Sequence, residues 1–339
     1  MDERKKKILR AIIDEYIETA QPVSSNTIVQ KYEPTISSAT VRNDMAELEK
    51  VGFLEKTHTS SGRIPSAKGY RMYVDELLKY DDISMEEIEY IGKKLETKVN
   101  QLEELTRITT STISEVTHYT TVSVGPKTEG QRIEEIKFVM LGNRMLMAII
   151  VTDIGMIKET IIKFDEDINQ EQVDTLGKIF NKKLKGEPIE KIDKPLEEYI
   201  FNELHYNIEI IRKIIEEIRK IINDDKKLYL EGRSKNYDLP EFNSINTARN
   251  FANVLDEKDL MLDILNNGNA NDIQIYIGDE NENEELKDFS VITFKHSVGN
   301  KDLGTIGIIG PKRMNYSKVI SVMKYISKIL NDNKNNDSK

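Results

Sequence analysis

Proline and glycine interrupt the first 65 residues so often that only short elements can form there. Pro22 and Pro34 each end a stretch of helical periodicity, because the residue before a proline avoids the α region. Gly52 ends a third stretch of the same kind. The sequence therefore predicts three short helices, over about 2–19, 24–31 and 37–50.

A hairpin pattern follows the three helices. Residues 53–56 and 63–65 have the composition of short strands around a polar turn, in which we expect Gly62 to adopt a positive φ. A fourth helix over 66–78 completes the segment. Three helices followed by a two-stranded hairpin make a winged helix-turn-helix, which is the fold that we predict for residues 1–80.

The rest of the chain alternates between helical and strand patterns. Residues 84–116 predict one long helix, 119–164 a series of strands and 169–223 mainly helices. Strand patterns return over 273–309, and a last helix is predicted over 317–330. This order favours one interrupted α/β sheet slightly over two tandem domains, within an α+β multidomain fold. The predicted division is a sheet domain over 84–190 and 273–332, a helical insertion over 191–272 and a disordered tail over 333–339.

The composition argues against several classes of protein. The chain has no cysteine, which excludes disulfides, cysteine-ligated metal centres and thiol catalysis. Its four histidines are dispersed and form no metal-binding pair. No paired carboxylates stand out as general acid and base, so we expect neither an enzyme nor a cofactor. Because no apolar run approaches the ~18 residues of a spanning helix and the N-terminus lacks an apolar leader, we expect a cytoplasmic protein without a membrane partner.

Charge is distributed unevenly along the chain. The net charge is −10, but residues 1–80 carry 13 basic and 12 acidic side chains and are almost neutral. A chain of this kind is not a general polyanion binder. Its first 80 residues can still bind DNA if their positive charges collect on one surface.

The third predicted helix has a surface suited to a DNA groove. On a helical wheel Val41, Met45 and Leu48 share one side, and Asn43 points in the opposite direction. Asn43 can pair with an adenine edge, and Arg42 on its flank can pair with guanine or phosphate. The expected phosphate contacts at the start of the helix are Ser37, Ser38 and Thr40.

The predicted wing adds positive charge beside this helix. No acidic residue lies between positions 56 and 63. Arg63 could enter a minor groove or pair with a phosphate. Winged helices also bind proteins, and a basic hairpin is often only solvated, but the combined pattern favours DNA. The candidate DNA contacts in and after the wing are Lys56, His58, Thr59, Arg63, Lys68 and Arg71.

Several motifs of this chain resemble those of the HrcA heat-shock repressors. SSATVRNDM at 37–45 is similar to the recognition helix of that family, and HTSSGRIP at 58–65 is similar to its wing. Ser61 is a mild departure, because alanine is more usual there. Further resemblance lies in GYRMYVD at 69–75, IGDE at 277–280 and GTIGIIGPKRMNY at 304–316.

The resemblance implies a fold, a function and partners. The fold would be a winged helix, a GAF-like domain over 84–190 and 273–332, and an inserted dimerisation domain over 191–272. The function would be repression of chaperone operons, by a homodimer that binds the inverted-repeat operator CIRCE and is kept active by the chaperonin GroEL. The helix over 196–223 is a candidate dimer surface, with ordinary core packing an equal alternative. The rival function is a transcription factor controlled by a small molecule in its GAF-like domain.

Overall fold

A computed structural model gives the fold of the chain. No helix within the described part of the chain is long and apolar enough to cross a membrane. The structure describes residues 1–57, 62–78, 83–95, 102–125, 130–192, 196, 199–200, 208–223, 228–266, 273–298 and 301–332.

The predicted winged helix-turn-helix is confirmed. Its apolar side chains, including Ile8, Ile12, Val41 and Leu48, are almost completely buried between the helices. The last helix continues as a single π-helical turn over Tyr73–Leu77. The other elements are α1 (Glu3–Thr19), α2 (Ser25–Lys31), α3 (Ser38–Lys50), β1 (Leu54–Lys56), β2 (Arg63–Pro65) and α4 (Ala67–Met72).

Two glycines allow the chain to turn between these elements. Gly52 has a φ of +85°, which lets it end α3 as predicted. Gly62 does not have the positive φ that we expected, so that prediction was wrong. Its lack of a side chain is needed for another reason, because a Cβ atom there would lie 2.8 Å from the backbone of Pro22. The close approach lets β2 bridge to Val23, beside α2.

The long helix predicted for 84–116 is replaced by two separate helices that pack against each other. Helix α5 covers Met85–Leu95 and helix α6 covers Leu102–Thr117. The Nζ atom of Lys94 lies 3.5 Å from a carboxylate oxygen of Glu115. A continuous helix would separate these two residues by about 30 Å, so the prediction of one long helix was wrong.

A separate small unit follows strand β3. Strands β4, β5 and β6 form an antiparallel meander, and two helices cover one face of it. In β5, alternate residues such as Leu146, Ala148 and Ile150 are completely buried against these helices. The elements are β3 (Thr120–Val124), β4 (Ile133–Gly142), β5 (Met145–Thr152), β6 (Ile157–Lys163), α7 (Gln170–Leu184) and α8 (Ile208–Asn223).

The main sheet has five antiparallel strands in the order β7-β3-β10-β9-β8. Ile292 and its neighbours on one face pack against α6 and α11, and Val291 on the other face packs with α9 and α10. An antiparallel sheet between layers of helices agrees with the expected GAF-like domain. The new elements are β7 (Leu228–Glu231), α9 (Ile245–Asp256), α10 (Lys258–Asn266), β8 (Gln274–Ile277), β9 (Phe289–Val298), β10 (Lys301–Pro311) and α11 (Tyr316–Asp332).

The α+β multidomain class and the interrupted sheet are confirmed, but the insertion lies elsewhere than expected. The sequence placed it at 191–272 and predicted it to be helical. In the structure, β4, β5, β6, α7 and α8 share a core of their own, whereas β7 already pairs with β3 in the main sheet. The insertion thus covers 130–223 among the described residues and contains three strands. The predicted disordered tail, 333–339, lies outside the described residues.

Candidate nucleic-acid interface

The exposed face of α3 is the centre of the candidate interface. Val41 and Leu48 are buried against the other helices, which leaves Arg42 and Asn43 exposed on the opposite side. Among the described residues, neither Arg42 nor Asn43 has a hydrogen-bond or ion-pair partner. Alanines at 39 and 46 flank them, so a duplex could approach the helix closely. This face can therefore offer a guanidinium and an amide to base edges.

The hydroxyl groups at the start of α3 hold the helix-turn-helix together. The Oγ atom of Ser37 accepts a hydrogen bond from the backbone N–H of Thr40 at 3.1 Å and lies 2.8 Å from its Oγ1 atom. Ser38 lies 2.9 Å from the Oγ atom of Ser25 and donates to Asn26 at 2.6 Å. These bonds cap α3 and fix it against α2. Ser37 and Thr40 remain near the surface.

The basic residues of α1 neutralise acids of α3. Both Nε and Nη2 of Arg4 bind the carboxylate of Asp44, at 2.8 and 3.0 Å, and only 4% of the Asp44 side chain is exposed. The hydrogen bond to Asp44 raises the pKa of Arg4. Lys5 pairs with Glu47 at 2.6 Å. Asp44 therefore anchors α3 to α1.

Among its described residues, the wing contains one basic side chain without an acidic partner, Lys56, and one that forms an ion pair, Arg63. Lys56 is exposed and has no partner within the described part of the chain. The Nε atom of Arg63 lies 2.6 Å from a carboxylate oxygen of Glu49, and the Arg63 side chain is only 16% exposed. Arg63 thus connects the wing to α3. Two candidate contacts, His58 and Thr59, lie outside the described residues.

The two candidates beyond the wing have intramolecular partners. The Nζ atom of Lys68 donates to the carbonyl of Val51 at 2.8 Å and lies 4.8 Å above the ring of Phe53. Arg71 pairs with Glu280, next to the five-stranded sheet, at 2.8 Å. The structure therefore places Arg71 at a contact with the sheet domain and does not bring it to the exposed face of α3.

One further basic residue on α3 was not predicted from the sequence. Lys50 is exposed and has no partner among the described residues. It lies seven residues after Asn43, which places it on the same side of the helix two turns later. That spacing was a signal that could have found it. Glu49, by contrast, faces the wing, where it binds Arg63.

A helix with an exposed guanidinium and amide, followed by a wing, defines a DNA-binding transcription regulator. Residues 10–66 match a DeoR-like helix-turn-helix domain, and residues 103–320 match the HrcA protein C terminal domain. The chain belongs to the HrcA family, and it is accordingly a heat-inducible transcription repressor and not an enzyme.

Relatives of known name cover almost the whole chain. The heat-inducible transcription repressor HrcA of Ruminiclostridium cellulolyticum is 40% identical, over 98% of this chain and 97% of the relative. The repressor of the same name from Acetivibrio thermocellus is 38% identical, over 96% and 94%. A crystal structure of a hypothetical protein superposes with a TM-score of 0.70 at 22% identity, over 98% of both chains. That structure supports the fold alone.

Proposed function

We propose that this protein represses chaperone operons in the bacterial cytoplasm by binding an inverted-repeat operator of the CIRCE type as a homodimer. The observation that carries the proposal is the exposed face of α3, where Arg42 and Asn43 have no partner among the described residues. One recognition helix reads only a few base pairs. Two-fold symmetry lets a dimer read a palindrome twice, which multiplies the discrimination.

The proposed DNA contacts fall into two groups. Arg42 and Asn43 read bases from the major groove. To reach DNA, Arg63 would have to break its ion pair with Glu49, and Lys68 its hydrogen bond to a backbone carbonyl. We therefore expect these two residues to contribute less to DNA affinity. The proposed phosphate contacts are Ser37, Ser38, Thr40, Lys50, Lys56, and the wing residues His58 and Thr59.

The outer face of the three-stranded sheet supports dimerisation. Val139, Met147 and Ile161 form a row across its strands, and Val139 and Ile161 are 42% and 51% exposed. The adjacent row carries Lys137 at one edge and Glu159 at the other. A two-fold axis along the strands would stack the apolar rows and bring each Lys137 opposite the other copy's Glu159. We propose this face as the dimer surface.

The dimer surface suggested by the sequence was the predicted helix over 196–223. In its described part, α8, the isoleucine stripe packs on the inner face of the same sheet, and Ile211, Ile214, Ile215 and Ile218 are completely buried. That stripe is therefore core. The dimer proposal accordingly moves from the helix to the sheet face on the opposite side of the unit.

Sedimentation of the full chain tests the dimer surface. Ile161→Glu should give a monomer at micromolar concentration, because a charge would be buried in the interface. Ile245→Glu is the matched control, since Ile245 is 75% exposed on α9. A dimer that survives Ile161→Glu and Val139→Glu together would disprove this surface.

The proposed dependence on GroEL would act through the apolar row on the outer face of the three-stranded sheet. A monomer would expose the row of Val139, Met147 and Ile161, which is the kind of apolar patch that favours association. A chaperonin that shields this row until two copies meet would maintain the active dimer. Occupation of GroEL by heat-damaged proteins would then release the operons from repression.

Fluorescence anisotropy tests the function as a whole. We expect the full chain to bind a CIRCE-type repeat roughly a thousandfold more tightly than a scrambled duplex of the same length. Addition of GroEL should increase the fraction of active repressor without changing its preference. Equal and strongly salt-dependent binding to both duplexes, with and without GroEL, would rule out an operator-specific repressor.

One observation favours the small-molecule alternative. A cavity of about 550 Å³ opens between α10 and the edge strand β8, with Leu260, Ile264 and Tyr276 in its wall and Asp263 and Glu282 at its rim. A volume of this size suits a small ligand. A compound that raises the melting temperature and changes operator affinity would favour this function.

A further inference from the structure

Two arginines hold the winged helix on the five-stranded sheet. The first is Arg71 of α4, whose Nε atom donates to Glu280 at 2.8 Å. The same guanidinium donates to the backbone carbonyl of Ile275 in β8 and pairs with Asp75 at 3.1 Å. Arg71 therefore connects acceptors from its own helical segment with acceptors at the edge of the sheet. Its planar fork gives these bonds a fixed direction.

The second is Arg313, which follows β10 and approaches α1. Its Nε atom lies 2.6 Å from a carboxylate oxygen of Glu241, and its side chain is only 10% exposed. Another of its nitrogens donates to the backbone carbonyl of Ile17, in the last turn of α1. Carbonyls at the end of a helix have no partner within the helix and carry partial negative charge. The Arg313 side chain thus binds a backbone carbonyl of the winged helix.

Apolar contacts fill the space near the two arginines. The ring centroids of Tyr70 in α4 and Tyr316 in α11 are 5.9 Å apart, and Tyr70 is 2% exposed. One continuous apolar core includes the winged helix and one face of the five-stranded sheet. A rotation of the winged helix on the sheet would separate Arg71 from Glu280 and Arg313 from Ile17. The junction therefore favours one orientation.

We infer that Arg71 and Arg313 are positioning residues that set the spacing and angle between the two recognition helices of the dimer. The inference rests on the proposed homodimer, in which the position of each α3 depends on how the winged helix sits on the sheet. The spacing of half-sites that a dimer accepts follows from this geometry. Arg71 and Arg313 would thus select among operators without touching a base.

A spacer series measures this effect. The full chain is titrated by anisotropy with inverted repeats whose half-sites are separated by zero to five additional base pairs, and with a single half-site. Five base pairs turn one half-site by about half a helical turn. We expect the wild type to prefer one spacer strongly. Arg71→Gln with Arg313→Gln should reduce that preference by roughly tenfold or more, while half-site affinity changes by less than about twofold.

Glu280→Gln distinguishes positioning from a direct DNA contact. It is nearly isosteric and weakens the junction from the side of the sheet. If Arg71 binds phosphate, the loss of its ion pair with Glu280 should make Arg71 more available and strengthen binding to every duplex, random DNA included. If Arg71 positions the winged helix, Glu280→Gln should flatten the spacer preference as Arg71→Gln does. Arg107→Gln, which breaks an ion pair within α6, is the matched control and should leave the preference unchanged.

Two results would overturn the inference. The first is an unchanged spacer preference in Glu280→Gln and in the double variant, while both still fold cooperatively and bind the operator. The second is stronger binding of Glu280→Gln to all duplexes alike. A wild type that shows no spacer preference at all would instead refute the dimer on an inverted repeat, and the inference with it.

Discussion

Arg42 and Arg71 belong to the same winged helix and carry the same guanidinium, but their surroundings differ. Arg42 is exposed and has no partner among the described residues, whereas Arg71 is surrounded by Glu280, Asp75 and a backbone carbonyl. A DNA-reading arginine must leave its donors available, because the nucleic acid supplies the acceptors. A positioning arginine is neutralised within the chain. The presence of acidic partners at Arg71 and their absence at Arg42 among the described residues therefore support the two different roles that we propose.

The largest effect on DNA affinity should come from substituting the residues that we propose to read bases. Asn43→Ala and Arg42→Ala should each weaken operator binding by about 1–3 kcal/mol and relax sequence preference at one position. Folding should be unaffected, because both side chains are exposed and neither has a partner among the described residues. Anisotropy on operator and random duplexes, together with thermal melting, checks this. Equal losses on both duplexes would show that these residues do not read bases.

Arg63 tests whether a paired arginine of the wing behaves like Arg71. Arg63→Ala should lower the free energy of unfolding by about 1 kcal/mol, because it removes a largely buried pair with Glu49. Arg144→Ala is the control, since its pair with Asp167 is well exposed and should contribute little. Chemical denaturation measures both variants. A stable Arg63→Ala variant with a large loss of DNA affinity would show instead that Arg63 contacts DNA.

The junction should respond to pH through Glu280. Burial raises the pKa of its carboxyl, but hydrogen bonds from Arg71 and the Ile277 amide outweigh burial, so the pKa lies below its ordinary value. The stabilisation is therefore present above pH 4.5 and is lost as pH falls through the lower, folded-state value. Glu280→Gln should cost about 0.5 kcal/mol at neutral pH, reduced by the partial exposure of the pair.

Denaturation at neutral and acidic pH provides the comparison. The difference between wild type and Glu280→Gln should shrink towards zero in acid. A difference that remains constant over the whole range would mean that the Glu280 carboxylate contributes no charge-dependent stability at the junction.

The smallest change is expected at Lys56, the exposed lysine of the wing. Lys56→Ala should reduce the salt dependence of binding by about one ion, with little change in sequence preference, because a lysine that meets a phosphate carries no sequence information. Lys93→Ala, on the exposed surface of α5, should leave the salt dependence unchanged. A loss of preference in Lys56→Ala would mean that the wing reads bases as well.

Local structure was predictable wherever the pattern was strong. The burial of Val41, Met45 and Leu48 and the exposure of Asn43 follow the helical period that the sequence shows. The break between α5 and α6 was not predictable in this way. No proline or glycine lies between Leu95 and Leu102, and the contact of Lys94 with Glu115 excludes one continuous helix. Local propensity is only a weak guide where packing opposes it.

Contacts between residues far apart in the sequence could not be predicted from the sequence. Arg71 resembles its basic neighbours in the sequence, and its acceptor Glu280 lies 209 residues away. The insertion was misplaced for a related reason. Alternating apolar residues identify a strand, but they do not state which sheet it joins. The pairing of Val122 in β3 with Leu230 in β7 settles the question in the structure.

The attachment of the insertion has a consequence for how such a protein can be altered. The chain leaves the main sheet at Val124 and rejoins it at Leu228, and these two residues are direct cross-strand partners. Whatever connects them, β3 and β7 can close as an ordinary hairpin, for which a two-residue turn is enough. The unit that we propose to carry the dimer surface could therefore be exchanged without disturbing the pairing of β3 with β7. If the proposed dimer surface is correct, replacing this unit should change how many copies assemble without altering the winged helix.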